Sequence, residues 1–336
     1  MNYIMGIETS CDETSVSIID TNSKILSNTT FSQINIHKKF GGVVPEIASK
    51  NHLLKIIPVI KESLKESKKT INDISLISVT NGPGLISCLM IGAASAKALG
   101  MIHKIKVSPI NHLEGHIASC FIENKVTFPS ICLVASGGHT NLYYLENEKK
   151  FNLISSTRDD AAGEAFDKGA KIMGLGYPGG VEIDRISKNG DKNFHKFPIA
   201  DLDSSLDFSF SGLKTSLKYY IDKNIGWESK INDIAASFQE AIIKSLIKNT
   251  KRAAVKYKVK NVLFAGGVAC NSRLREKSYE DLGNYEILFP SIKLCTDNGA
   301  MIAMRGLQLM NTNNLNPSLD FPVFSSTKIK SNLNLD

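Results

Sequence analysis

The six cysteines of this 336-residue chain never fall in a C-x-x-C pair. Cys11, Cys88, Cys120, Cys132, Cys270 and Cys295 therefore exclude a zinc knuckle and a disulfide frame, and suit the reduced thiols of a cytosolic protein. No G-x-x-x-x-G-K-[ST] occurs, which excludes a P-loop ATPase. No basic n-region opens "MNYIMGIETSCDE", where Glu8, Asp12 and Glu13 interrupt every apolar run. A signal peptide is not expected, nor an Arg-rich transit segment, and the expected location is cytoplasmic. The most apolar later stretch, "LISCLMIGAASAKALG", is short, rich in Ala and Gly, and carries Lys97. It reads as a buried helix rather than a membrane span.

What is present is a soluble globular composition, 42% hydrophobic and 22% charged, with a length sufficient for two domains. The net charge is +7. Such a balance serves solubility or an anionic partner such as RNA, and charge alone does not choose between them.

The chain reads as a repeat. "YIMGIETSCDETSVSIID" is an apolar strand, a polar turn and an alternating strand, with "KILSNTTFSQ" as a third. "ICLVASGGHTNLYYLENEKKFNLISST" has the same pattern, with Gly6 and Gly137 at similar places in the two copies. A helix follows each: "PEIASKNHLLKIIPVIKESLKES" in the first, "DDAAGEAFDKGAKIMG" in the second, the latter capped by Asp159 or Asp160. Each copy continues as a buried strand, a Gly-rich turn ("NGPG", "AGGVACN") and a helix. "KIKVSPINH" and "YEILFPSIKLCTDNG" supply the final strands. The second copy carries an insertion at about 177–233, then the amphipathic helix "INDIAASFQEAIIKSLIKNTKRAAVKYK". The expected fold is α/β: the two-lobe actin-like and sugar-kinase-like (ASKHA) plan, each lobe a mixed sheet flanked by helices. The expected boundaries are 1–110 for the first lobe, completed by a C-terminal helix at about 298–336, and 111–297 for the second. Ligands of such sheets bind at the carboxyl ends of the strands, which places the Gly-rich turns in a cleft between the lobes.

Several candidate site residues follow. "SGGHT", "NGPG" and "AGGVACN" offer backbone N–H groups to an anion, and each is equally a tight-packing device. Asp12 and Glu13 sit in the first turn, as a catalytic carboxylate pair or a solvated acidic tip. In "NHLEGHIAS", His112 and His116 lie four apart and share a helix face, so both could reach one ion. This is not H-E-x-x-H, whose glutamate adjoins the first histidine. Glu114 lies roughly 200° round the helix and faces away, which disfavours a zinc peptidase. The repeat supplies a third ligand, Asp297 in "CTDNGAM", expected from across the cleft. Two imidazoles and a carboxylate with open positions suit Fe(2+) or Zn(2+).

"GIETSCDET", "GGVVPEIASKNH", "NGPGL", "NHLEGHI", "SGGHT", "RDDAAGEAFDKGAK", "GYPGG", "FSFSGLKT", "AGGVACNSRLR" and "TDNGAMIA" occur together, in order, over nearly the whole chain. In these motifs the sequence resembles the TsaD family of tRNA threonylcarbamoyladenosine transferases, once known as sialoglycoprotein endopeptidases, in its bacterial-type branch. The resemblance implies transfer of the threonylcarbamoyl group of threonylcarbamoyl-AMP to an adenosine amine beside the anticodon. The tRNAs are those reading codons that start with A, and AMP is released. It implies one divalent metal on His112, His116 and Asp297. Val134, Ala135, Ser136, Gly137, Gly138, Asp167, Gly180, Asp184 and Asn271 would bind the substrate nucleotide. Asp12 and Glu13 match the acidic first-turn pair, one of which would accept the amine proton. Implied partners are tRNA, a TsaB-like paralogue, a TsaE-like ATPase and a TsaC-like synthase that makes the donor, with no membrane. The isolated chain is then expected to be weakly active, with the helices at 161–173 and from Pro45 as partner surfaces. The sequence departs from the family at Ala135, where a larger apolar residue is usual, and in the tail "FPVFSSTKIKSNLNLD", which lacks a basic, Trp-containing ending. Two other functions share the fold: an actin-like ATPase or sugar kinase, in which the histidine pair has no task, and a non-catalytic scaffold of a modification complex.

Overall fold

The computed structural model describes residues 3–200, 202 and 205–325. The chain divides into two compact units, Met1–Glu123 with Asp297–Asp336, and Asn124–Thr296. His112–Glu123 and Asp297 thus belong to unit 1, whereas the sequence places the start of the second lobe at 111.

Unit 1 is built on β1 (Tyr3–Glu8), β2 (Glu13–Asp20), β3 (Ile25–Ser32), β4 (Ile74–Gly82) and β5 (Lys106–Asn111). They lie in the order β3-β2-β1-β4-β5. The hairpins make β1–β2–β3 antiparallel, and the helical crossovers make β1–β4–β5 parallel. A short helix, α1 (Ile34–His37), leads into α2 (Pro45–Glu66). Then come α3 (Ile86–His103), α4 (His112–Glu123) and, from the chain's return, α11 (Gly299–Asn311).

Alternation along β1 sorts its side chains to two faces. Met5 and Ile7 pack with Ile56, Ile60, Ala93 and Ala96 of α2 and α3. Ile4 packs with Ala118 of α4 and Ala303 and Leu307 of α11. α3 is the one helix among the described residues long and apolar enough to cross a membrane by length and composition. Only one face of it is buried, through Cys88, Leu89, Ala93 and Ala96, while Met90, Met101 and Ile102 are exposed.

Gly6 explains how α11 reaches the sheet. A Cβ there would lie 2.1 Å from the Gly299 carbonyl oxygen and 2.5 Å from the Ala303 nitrogen. Gly299 is pressed equally hard, its own Cβ position falling 2.5 Å from the Ser17 nitrogen. Gly6 is thus a mid-strand contact. Gly137 lies instead in an open turn with nothing within 4 Å of a Cβ, so the two glycines are not equivalent in the repeat.

Unit 2 repeats the plan with β6 (Ser130–Ala135), β7 (Thr140–Asn147), β8 (Lys150–Ser156), β9 (Asn261–Ala265) and β10 (Glu286–Leu288), ordered β10-β9-β6-β7-β8. Its helices are α5 (Ala162–Ile172), α6 (Gly179–Ser187), α7 (Ser211–Lys223), α8 (Ile231–Tyr257), α9 (Ser272–Leu282) and the short α10 (Ile292–Cys295). The insertion supplies α6, α7 and core residues Phe197, Phe208 and Phe210. Neither Asp159 nor Asp160 caps α5, whose first turn has Ala161 at the N-cap without a side-chain bond. Asp159 reaches the start of α7, accepting from the Phe210 N–H at 2.7 Å and the Ser211 hydroxyl at 2.9 Å. Asp160 pairs with Lys168 at 2.7 Å. Arg273 ties α9 to α8 by its bond to Glu240 at 2.7 Å.

Gly6→Ala forces a methyl group into backbone atoms that cannot rotate away. The expected cost is about 3 kcal/mol or more, read as a fall in the denaturant midpoint.

Candidate metal centre

β5 ends at Asn111, whose side-chain oxygen accepts from the Leu113 N–H at 2.9 Å and the Glu114 N–H at 3.3 Å. This N-cap starts α4 at His112, and His116 follows one turn later on the same face. The two rings meet edge to face with centroids 4.7 Å apart. Asp297 arrives just ahead of α11, whose own N-cap, Asn298, accepts from the Met301 N–H at 3.0 Å. Gly115 lets α11 close on α4, since a Cβ there would lie 2.7 Å from Ile302 Cδ1. The cluster is complete within unit 1, so the third ligand does not come from the second lobe as the sequence suggested.

Asp297 Oδ1 lies 3.2 Å from His116 Nε2 and 3.6 Å from His112 Nε2. The three ligand atoms fall within 4.8 Å of one another. Two metal–ligand bonds of about 2.1 Å at a tetrahedral angle separate their ligand atoms by about 3.4 Å. Nδ1 of His116 is buried with no hydrogen-bond partner, and its Nε2 meets Asp297 Oδ1 without the alignment of a hydrogen bond. A fully buried imidazole so arranged carries an unmet polar demand, which a divalent cation beside Nε2 relieves. The residues therefore fit a metal.

The surroundings are strongly acidic. Glu8, wholly buried at the end of β1, accepts from the Ser10 N–H and the Thr80 hydroxyl, each at 2.5 Å. Its Oε2 lies 3.0 Å from His112 Nδ1. Burial opposes the charged form of His112, but the carboxylates of Glu8 and Asp297 outweigh it and raise the imidazole pKa to about 9. Burial, then the charges of Asp12 and Asp297, push the Glu13 carboxyl well above its usual range. Asp12 is nearly buried, and the Ser32 hydroxyl donates to Glu13 at 3.1 Å. His52 braces this turn, with Nε2 2.9 Å from the Cys11 carbonyl and Nδ1 2.8 Å from the Thr14 hydroxyl.

In unit 2, Val134 and Ala135 are buried at the end of β6. Beyond them Gly137 and Gly138 stand open, while the buried Ser136 donates its N–H to the His139 carbonyl at 2.8 Å and accepts from the Gly163 N–H at 3.2 Å. Asp167 accepts from the Gly179 N–H at 2.7 Å, fixing the start of α6. Gly180 and Asp184 lie one turn apart on α6. Asp184 accepts from the Ser272 hydroxyl at 2.8 Å, and Asn271 caps α9 while donating to Gln239 at 2.6 Å. Asp167 thus bonds to the chain neighbour of Gly180, and Asp184 to the chain neighbour of Asn271. "NGPG" behaves otherwise. The Leu85 N–H after it donates to the Ser10 carbonyl at 2.8 Å, and a Cβ on Gly84 would lie 2.7 Å from that oxygen. It serves close packing. Sequence reasoning passes over Glu8 and His52; the signal for Glu8 is a carboxylate ending an otherwise apolar strand, "YIMGIE".

Two units of matching strand order, the first carrying a His–His–Asp cluster, define a two-lobe actin-like (ASKHA) protein with a candidate metal site. A solved structure, component A of the Acidaminococcus fermentans (R)-2-hydroxyglutaryl-CoA dehydratase, shares the fold with a TM-score of 0.59 at 16% identity, covering 93% of this chain and 100% of its own. Residues 24–304 match the family TsaD, tRNA N6-adenosine threonylcarbamoyltransferase, and the chain belongs to that family. The protein of that name from Syntrophus aciditrophicus is 50% identical over 316 residues, 92% of each chain. The one from Listeria monocytogenes serotype 4b is 47% identical over 310 residues, 90% of each.

Glu114 does face away from the histidines, and its task is structural. Its Oε2 accepts from Nε of Arg305, a buried residue of α11, at 3.0 Å. Glu114→Ala leaves that guanidinium without its carboxylate. Thermal unfolding should show a loss of about 3 kcal/mol, while metal content of the folded protein stays unchanged.

Proposed function

We propose that this chain is the acyltransferase its family is named for. It moves the threonylcarbamoyl group from threonylcarbamoyl-AMP to the N6 amine of the adenosine next to the anticodon, in tRNAs reading codons that start with A. Family membership over residues 24–304 supports the reaction. The observation that carries the site is the convergence of His112, His116 and Asp297 beside Asp12 and Glu13.

The amine lone pair attacks the carbamoyl carbon, the N–C bond forms, the C–O bond to the phosphate breaks, and AMP leaves with the electron pair. An adenine amine is a poor nucleophile, so positioning and charge stabilisation must supply the rate. His112, His116 and Asp297 would hold one divalent metal, Fe(2+) or Zn(2+), which when bound supplies a Lewis acid for the donor's oxygens. Burial, then the charges of Asp12 and Asp297, push the Glu13 carboxyl well above its usual range, and such displaced carboxyls are candidates for proton exchange in catalysis. Asp12 or Glu13 takes the amine proton. In unit 2, the N–H groups of Gly137 and Gly138, beyond Val134–Ala135 and Ser136, suit a phosphate, and Asp167, Gly180, Asp184 and Asn271 suit the nucleoside. A base in an anticodon loop is already unpaired and costs little to present.

The exposed apolar side chains of α2 and α3, among them Leu53, Leu54, Ile57 and Met90, support a protein partner on that face, the TsaB-like paralogue. The TsaE-like ATPase and TsaC-like synthase complete the set, in the cytoplasm. Of the two lysine-rich stretches, Lys188–Lys196 and Lys248–Lys260, the second places Lys248, Lys251 and Lys256 along one exposed stripe of α8, which suits a phosphate backbone.

Nucleoside analysis of tRNA, after incubation with ATP, threonine, bicarbonate and the partner proteins, tests the reaction. His112→Ala and His116→Ala should each abolish the modified adenosine and the bound metal together. Modified tRNA from His116→Ala at the normal rate would remove these residues from the chemistry. For tRNA binding, each phosphate neutralised adds about 0.7 to 0.9 to the log–log salt slope. Replacing Lys251 and Lys256 by Glu should flatten that slope by about 1.5.

A further inference from the structure

We propose that Glu8 is the positioning residue of the metal centre: its Oε2 accepts the Nδ1 proton of His112 and so presents Nε2, on the side of Asp297, as the nitrogen that takes the ion. The inference rests on His112, His116 and Asp297 being the ligands. His112 presents its two nitrogens to different carboxylates, Nδ1 to Glu8 at 3.0 Å and Nε2 to Asp297 at 3.6 Å. An ionised carboxylate can only accept, so the nitrogen facing Glu8 carries the proton. The other nitrogen is then the one that gives up its proton and offers a lone pair to an ion. A carboxylate behind a ligating histidine fixes the ring's orientation and raises its basicity.

Glu8 is built for this task. It is wholly buried, and its bonds from the Ser10 N–H and the Thr80 hydroxyl prevent it from swinging away. Both of its oxygens face donors, Oε1 toward Ser10 and Oε2 toward Thr80 and His112. His116 has no such brace, because its Nδ1 finds no partner. The cluster therefore has one imidazole braced at Nδ1 by a carboxylate and one without that brace.

Glu8→Gln tests the point with little change of shape. One end of the amide becomes a donor, and both ends already face an N–H, that of Ser10 at one and that of His112 Nδ1 at the other, while only the Thr80 hydroxyl can turn to accept. Facing His112, it demands the opposite tautomer, with the proton on Nε2; facing Ser10, it breaks the turn that holds the carboxylate. Metal-free protein titrated with Zn(2+) against a chromophoric chelator should bind one equivalent in the wild type. In Glu8→Gln binding should be about 10- to 100-fold weaker. Unchanged affinity in folded Glu8→Gln overturns the role of Glu8 and leaves the ligand set standing. Failure of the wild type to bind zinc overturns both. If the variant does not fold, 15N shifts of the zinc-loaded wild type decide: His112 should show a protonated Nδ1 and a metal-bound Nε2, and the reverse assignment overturns the proposal.

Discussion

The structure of unit 1 depends on one backbone approach. β1 gives up a side chain at Gly6, and α11 gives up one at Gly299, so that helix and strand touch through main-chain atoms. Everything at the centre follows from that contact. It sets where α11 begins, and hence where Asp297, two residues earlier, can stand. α11 also packs on α4 across Gly115, so the carboxylate and the two imidazoles share one rigid frame. A site whose geometry must hold to fractions of an ångström is better carried by packed backbone than by loops. Here no ligand is more than two residues from a helix of unit 1.

The acidic character of the centre has the same origin. Glu8 ends β1, while Asp12 and Glu13 turn the chain into β2. Asp297 arrives just ahead of α11. Four carboxylates near one another, two of them nearly buried, are costly without a cation. The upward displacement of Glu13 and of His112 expresses that cost in protons. A metal on the histidines would replace those protons with fixed charge, so affinity for an ion and acidity of the turn would be two aspects of one balance.

Much of this is legible in the sequence, because it rests on local periodicity. The doubled strand-and-helix order appears in the two sheets with the same pairing. The i, i+4 histidines need only the helix repeat, as does the orientation of Glu114 away from them. What escapes depends on long-range contact. Asp159 looks like a cap for the helix that follows it, yet its bonds go to α7, some fifty residues on. Gly6 and Gly137 look alike as letters, but one is pressed by a helix and the other opens to space. Asp297 reads as part of the second lobe because it follows that lobe's last strand; the chain has already crossed back by then. Glu8 reads as the polar end of a strand because its partners, Thr80 and His112, are far away in sequence.

The return crossing has a consequence for how the protein is made. Unit 2 is an insertion in unit 1, placed between α4 and Asp297, so about 180 residues separate the second histidine from the carboxylate. Ribosomes extend chains at about 5–20 residues per second, and domains fold as they emerge. For roughly 10 to 40 seconds the nascent first unit therefore holds its histidines without their carboxylate. The sheet face that α11 will cover, with Ile4 and Leu76 at its centre, is also bare during that interval. Capture of an ion by all three residues would then be a late event in biogenesis, reserved for chains that have already synthesised their entire second unit.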